Sequence, residues 1–391
     1  MSRVGMLGAA VVIVAALALL FFSAHGKTGD TGGAPGPAAA SAVFAQAGSP
    51  IKYAFDAQPS FCATPSGNLF FCSTGGVKYI TGGGAEKWNY AFSAQLPTLA
   101  GSGDAAAVAE ANGNYIYVFN TSGLLYSKKF DLPILSFAVN PSGFAAVILK
   151  DGAGFQVEVD GPGFSPYQRQ LRDQNVIPVT AAVSNDGRIL GINFLNTNLT
   201  SAKYSSYLAF TYVNKEDSAA SGKDFFASKL LDDHITADLR FADGGRVLAF
   251  SDNQIEAMQV GLSNLFKEQK TLALTNKLDQ LAFMPGGGFA AALGARFAEG
   301  QGKSPGTIEF YDSALNLTGS YDLGKPATYL SAANGKAIAA SGRDYRAIDP
   351  RGRLLWKYSS TQDFKQVLFL NNSDTVLFVS STEADIMKRK Q

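Results

Sequence analysis

Eight short turn motifs, spaced almost evenly along the chain, limit what it can fold into more than any other feature. They are Pro65-Ser66-Gly67, Gly101-Ser102-Gly103-Asp104, Pro141-Ser142-Gly143, Asn185-Asp186-Gly187, Asp243-Gly244-Gly245, Pro285-Gly286-Gly287, Asn334-Gly335 and Asn372-Ser373-Asp374. Gly, Asn and Asp supply the positive-φ positions that a tight hairpin needs. Most of these turns follow an apolar run such as ILSFAV or DQLAFM and precede a small, apolar one such as FAAVIL, RVLAFS, FAAALG or KAIAAS. Successive turns lie mostly 36 to 48 residues apart, with one interval near 57. A unit of that size holds about four strands and cannot bury both of its faces alone, so it must stack on copies of itself.

That period predicts an all-β fold, an eight-bladed β-propeller, with the small residues of each second strand fitting the crowded space between blades. Forty-one glycines, 28 phenylalanines, 15 tyrosines and only 17% charged residues agree with many short strands joined by tight turns. The eighth unit contains KQVLFL, TVLFVS and EADIMKRK before the chain stops at Gln391, so it has three strands and needs a fourth. The alternating segment IKYAFD, Ile51 to Asp56, is expected to supply it, closing the ring and removing both exposed sheet edges. A seven-bladed ring is the alternative if the weakly marked turn at Gly101 to Asp104 opens no unit of its own.

A second motif recurs one turn later in several units. Ile348-Asp349-x-x-Gly352-x-x-x-Trp356 matches Ile80-Thr81-x-x-Gly84-x-x-x-Trp88, and Val159-Asp160-x-x-Gly163-x-x-x-Tyr167 follows with Tyr for Trp. Phe119-Asn120-x-x-Gly123 keeps the first half with Tyr126 one place early, and Tyr311-Asp312 begins the pattern and then loses the glycine. A short Asp, Asn or Thr side chain bonds the backbone of a turn, Gly takes the positive-φ position, and the aromatic four residues on packs against the adjacent blade. These residues are therefore expected to be structural. The motif resembles the repeat of quinoprotein-type propellers, a family holding both dehydrogenases and proteins that only bind other proteins. Dehydrogenases of that type also carry a vicinal cysteine pair and a calcium-binding carboxylate set. This chain has no adjacent cysteines, so the resemblance implies the fold and no cofactor.

Val4 to Phe22 is a run of 19 residues without a charge, close to the ~20 that span a bilayer core as a helix. Arg3 precedes it and His25 and Lys27 follow, a weak bias that places the short end in the cytoplasm. A cleaved signal peptide is the alternative. The run exceeds the usual ~7–15-residue core of such a peptide, and Phe22 stands where a small residue is needed, so a retained single-pass anchor is expected. The expected layout is residues 1–25 as a transmembrane anchor, 26–50 as a flexible Gly/Ala/Pro linker and 51–391 as the propeller, on the extracytoplasmic side of a bacterial cytoplasmic membrane. This layout resembles an uncharacterised family of membrane-anchored propeller proteins found in Firmicute bacteria, which offers no established activity to carry over.

Thirty-three basic against 32 acidic residues, with no basic block beyond Lys388-Arg389-Lys390, argue against nucleic-acid binding. Two cysteines and two histidines leave little for metal or nucleophilic chemistry. Cys62 and Cys72 average to position 67, so a hairpin centred on Gly67 would set them directly opposite; a cross-strand disulfide and two buried free thiols both fit. His234 has Asp232, Asp233 and Asp238 nearby, but neighbours on a strand point to opposite faces, and a solvated strand end is expected. No G-x-S-x-G, P-loop or H-E-x-x-H motif is present, so no catalytic or metal residue is assigned.

Insertions carry more information. Leu195 to Ser206 and Ala295 to Gly306 fall between the second and third strands of the fourth and sixth units, connections that emerge on one face of a propeller. Asn214 to Asp224 follows a third strand and emerges on the other face. Long loops on a rigid scaffold are where binding resides, so the first face is the expected surface for a protein or cell-wall partner; the other reading is that the loops are disordered spacers. The function expected is a non-catalytic, extracytoplasmic binding scaffold. The alternative is a quinoprotein-like enzyme or small-ligand sensor using the central funnel.

Overall fold

A computed structural model describes residues 41–390 except 164–166, 172, 174, 198–204, 215–224, 261–264, 299, 301 and 371–373. Seven consecutive antiparallel sheets of four strands span residues 60–91, 97–129, 134–171, 176–232, 236–273, 276–322 and 329–359. Within each, chain order equals spatial order, from an inner strand to an outer one. The eighth sheet contains Gln366–Phe369, Thr375–Val379 and Glu383–Arg389. The turn at Gly101 to Asp104 does open a complete unit, with strands Pro97–Ser102, Ala105–Glu110, Tyr115–Asn120 and Gly123–Lys129, so the count is eight blades and not seven.

Each blade interface holds its own apolar cluster. The interface of blades 2 and 3 buries Val118 and Ile134 with Val147, and that of blades 7 and 8 buries Trp356 with Phe369 and Phe378. Second strands dominate this burial: Ala105 to Val108, Ala290 to Ala292 and Ala337 to Ala340 are all almost inaccessible. Alanine at these positions follows from geometry, since two sheets approaching at the narrow part of a wedge leave no room for longer side chains. The inner strands of blades 8 and 1 also meet, where the Phe61 amide donates to Gln366 Oε1 at 3.0 Å.

Glu383–Arg389 is paired by two segments from the other end of the chain. Phe44, Ala45 and Gln46 lie opposite Arg389, Lys388 and Met387, and Ile51 and Lys52 lie opposite Ala384 and Glu383. The pairing therefore starts earlier than the expected segment of Ile51 to Asp56, of which only the first two residues join the ladder. Beyond Lys52 the chain turns away toward blade 1, with an Ala57 N to Ala54 O bond, and Phe55 is left 74% exposed. Phe44 meets blade 7, its ring lying edge-on to Trp356 at 5.3 Å and to Phe378 of blade 8 at 5.2 Å, while Ile51 and Tyr53 pack against the cluster between blades 8 and 1.

Antiparallel order fixes two faces. Turns from inner to second and from third to outer strands lie on one, called here the turn face. Connections from second to third strands, and between blades, lie on the insertion-bearing face. Residues 4–22 and 26–40 of the expected anchor and linker are outside the described residues, and among the described ones no helix is long and apolar enough to cross a membrane.

Candidate functional site

The recurrent Asp/Asn turns are built as their chemistry requires. Asp349 Oδ1 accepts from the amides of Arg351 and Arg353 at 3.0 and 2.9 Å, and Oδ2 accepts from Arg353 Nε at 2.6 Å. Burial raises the Asp349 carboxyl, but the backbone and side chain of Arg353 and the Arg351 amide outweigh it and hold the pKa below the ordinary aspartate value. A depressed folded pKa contributes stability that is present above the unfolded value and lost as pH falls through the folded one. The deficit of Asp349→Ala, about 1 kcal/mol at neutral pH, should therefore shrink on acidification below the ordinary aspartate range, as read from urea midpoints across pH.

Asn120 Oδ1 accepts in the same way from the Ser122 and Gly123 amides, and Thr81 Oγ1 accepts from the Ala85 amide. In the unit that lost its glycine, Asp312 accepts from the Ala314 and Asn316 amides, and Leu315 takes the positive-φ position at 59°.

Glycine matters most at position 352. Its φ is +77°, and a Cβ there would overlap Ser320 O on the outer strand of the preceding blade. Gly163, with φ +66°, has nothing within 4 Å of the same point, and a Cβ on Gly84 would come within 2.9 Å of Ser49 O. Gly352→Ala should cost roughly 2–3 kcal/mol and Gly163→Ala about 1 kcal/mol, a gap measurable by chemical denaturation.

Trp88 stacks on Phe119 of the next blade at 5.6 Å, and its Nε1 donates to Thr121 O at 3.1 Å. Tyr126 makes the same reach with its hydroxyl, which lies 3.0 Å from Asp160 O. Tyr167 packs against the cluster of blades 3 and 4. Trp356 is 1% exposed, and among the described residues its Nε1 has no hydrogen-bond partner. The reason is topological: the carbonyl that serves Trp88 comes from the turn between third and outer strands of the next blade. Blade 8 has no such turn, since its third strand pairs with the separate segment Phe44–Gln46. Trp88→Phe should consequently lose about 1 kcal/mol more than Trp356→Phe, which strands no carbonyl; thermal melts of the two variants test this.

The expected opposition of the cysteines needs correction. Cys62 lies opposite Phe70 and Cys72 opposite Ser60, because the ladder is centred one position before Gly67. The two are free thiols displaced along one face, and burial pushes their pKa values up to about 11 and about 12. Asp238 pairs with Arg240 at 2.7 Å rather than with His234. His234 sits in the connection from blade 4 to blade 5, with Nδ1 buried and unpartnered among the described residues. No group of three His, Cys, Asp or Glu residues that could hold a metal occurs among the described residues.

Sequence reasoning missed two features. The first is a set of interblade ion pairs: Lys128 on the outer strand of blade 2 meets Glu158 and, at 2.8 Å, Asp160 of blade 3, and Lys229 of blade 4 meets Glu256 of blade 5 at 2.6 Å. Their partners lie 27 to 32 residues apart, and only the propeller register brings them together. The second is the uneven charge of the inner strands, where Asp238, Arg240, Lys277 and Asp279 place every charged residue on blades 5 and 6. Arg240 also lies over the Phe283 ring at 3.8 Å, and burial raises the Asp279 carboxyl while Lys277 opposes the shift.

The insertion-bearing face is the most elaborated surface. Of Leu195 to Ser206, residues 198–204 lie outside the described ones, as does most of Asn214 to Asp224. The Ala295 to Gly306 insertion is pinned at its far side by buried Asn276, whose Nδ2 donates to Gly294 O and Lys303 O and whose Oδ1 accepts from the Lys303 amide. Arg296 Nε also donates to Lys303 O, and Phe297 is 46% exposed at the tip. On the opposite face successive turns are linked: Asn140 Nδ2 donates to Ser184 O, and Asn185 Nδ2 to Asp243 Oδ1.

Among solved structures, BamB from Moraxella catarrhalis aligns with a TM-score of 0.51 and 12% identity, over 89% of this chain and 98% of that one. BBS1N, crystallised in complex with ARL6DN, aligns at 0.44 and 11% identity over 90% and 98%, and hydrazine synthase of Kuenenia stuttgartiensis at 0.45 and 12% over 80% and 98%. At these identities the BamB likeness shows the propeller fold alone. A comparison with curated protein sequences finds no match. Residues 56–388 match DUF5711, a family of unknown function, and the chain belongs to that family.

Proposed function

We propose that this protein is a non-catalytic interaction scaffold that presents the insertion-bearing face of its propeller to a protein or cell-envelope partner. The observation that carries this reading is the pinned Ala295 to Gly306 insertion: its return at Lys303 is held by two hydrogen bonds to the buried Asn276, which supports a formed surface rather than a spacer. In this reading residues 4–22 anchor the chain and the propeller stands on the extracytoplasmic side of the membrane. Pairing of Phe44–Gln46 and Ile51–Lys52 with Glu383–Arg389 supports closure of the ring by the amino-terminal segment. Phe44 lies opposite Arg389, at the turn-face end, so the anchor side of the chain arrives there and leaves the insertion-bearing face turned outward.

The test compares partners crosslinked in cells to the full chain with those of a version in which 198–204 and 298–301 are replaced by short Gly-Ser turns. Loss of a discrete partner is expected; identical recovery would contradict the reading. The charged inner strands of blades 5 and 6 favour a second reading, a small ligand in the funnel. A thermal shift on adding quinone and calcium would support that one.

A further inference from the structure

The insertion-bearing ends of blades 1 to 3 carry a feature that neither insertion accounts for. Leu96, in the connection between blades 1 and 2, is 64% exposed yet firmly held, because Glu110 Oε1 accepts from the amides of both Gln95 and Leu96 at 2.9 and 2.8 Å. Immediately after it, Thr98 joins Ala111, Ile134, Leu135, Ser136 and Phe137 in lining a cleft of about 200 Å³. The cleft walls are fixed too: the Asn112 amide donates to Ile134 O and the Ile134 amide to Gly113 O. A large apolar side chain held in water beside a preformed, mainly apolar cleft is the arrangement found at the centre of peptide-binding surfaces.

Charge selects the occupant. Glu110, Asp131, Asp151 and Asp173 stand at this end of blades 2 and 3 and of the connection to blade 4, the last three exposed. Of the described lysines at this end, Lys128 is held by Glu158 and Asp160, while Lys129 lies over the Tyr115 ring at 5.6 Å and Lys150 over Phe155 at 4.2 Å. Lining and rim together point to one chemistry, an apolar anchor flanked by cations.

We propose that this cleft docks an extended polypeptide segment of a partner protein, one bulky aliphatic or aromatic side chain entering between blades 2 and 3 and neighbouring Lys or Arg residues facing the carboxylates. This rests on the reading of the insertion-bearing face as the partner surface and locates the contact within it. Glu110 serves as a positioning residue, holding Leu96 in place; Leu96 and the cleft make the contact. Electrostatic steering of a basic segment also makes the contact salt-sensitive.

The experiment selects a random dodecapeptide library on the full chain and measures the enriched peptides by fluorescence anisotropy. Enriched peptides should share a bulky apolar residue flanked by Lys or Arg, and should bind roughly ten-fold more weakly to Leu96→Asp and to the pair Asp131→Lys with Asp151→Lys. All three positions are exposed, so circular dichroism and melting of the variants should match the parent. Enrichment of acidic or purely polar peptides, equal binding to the variants, or no enrichment would overturn the proposal. A partner crosslinked through Phe297 in cells while the library gives no enrichment would sink this docking site and leave the scaffold reading intact.

Discussion

A chain that begins at Tyr53 should be far less stable than one that begins at Ser41. The longer version keeps both segments that pair with Glu383–Arg389, together with the Ala42 N to Lys357 O bond to blade 7. The shorter one removes Phe44 from its edge-on contacts with Trp356, Tyr358 and Phe378, all between 5.2 and 5.3 Å, and bares the edge of Glu383–Arg389. Loss of a fully buried phenylalanine costs about 3–5 kcal/mol, and the half-buried Phe44 should contribute about half of that; the open edge adds a route to aggregation. Denaturant midpoints of the two chains measure the difference. Equal midpoints would show that the pairing does not close the ring.

Lys128→Met is the second large effect. Glu158 and Asp160 have side chains only 2% and 8% exposed, and Lys128 is the cation that meets both. Gln156 and Gln168 also donate to Glu158, but neutral amides do not replace the cation. Leaving a buried carboxylate unpaired costs about 3–5 kcal/mol. By contrast Lys78→Met, which removes an exposed partner of Glu86, should cost less than about 1 kcal/mol. Asp160 provides the pH check. Burial already raises its pKa, opposed by Lys128, so removing the lysine raises it further. A raised carboxylate pKa means that the native state binds the proton more tightly, so stability is gained as pH falls through the folded value. The Lys128→Met deficit should shrink on mild acidification, the opposite of the usual carboxylate trend.

The eight blades were legible because hairpin turns need Gly, Asn or Asp at fixed places, and those residues recur at blade intervals even where the strands between them vary. The strand at Phe44 was not legible, since FAQ is too short to show alternation and its value lies in meeting Trp356 across more than 300 residues of chain. The cysteine register failed for a local reason. A turn reaching from Pro65 to Gly67 leaves its centre ambiguous by one residue, and one residue is enough to move Cys72 from Cys62 to Ser60. The Lys128 pairs and the clamp of Glu110 on Leu96 leave no periodic trace, because each depends on which loop ends adjoin once the ring is built. Sequence spacing did place both insertions between second and third strands, where the structure has them.

Photocrosslinking at four single positions tests the scaffold reading most directly. A photoreactive side chain is placed in turn at Phe297 and Leu96 on the insertion-bearing face and at Leu124 and Leu317 near the turn face, all exposed. The account predicts a discrete higher-mass adduct in cells from the first two positions and none from the others. Adducts from the turn-face positions alone, or none from Phe297 and Leu96, would contradict it.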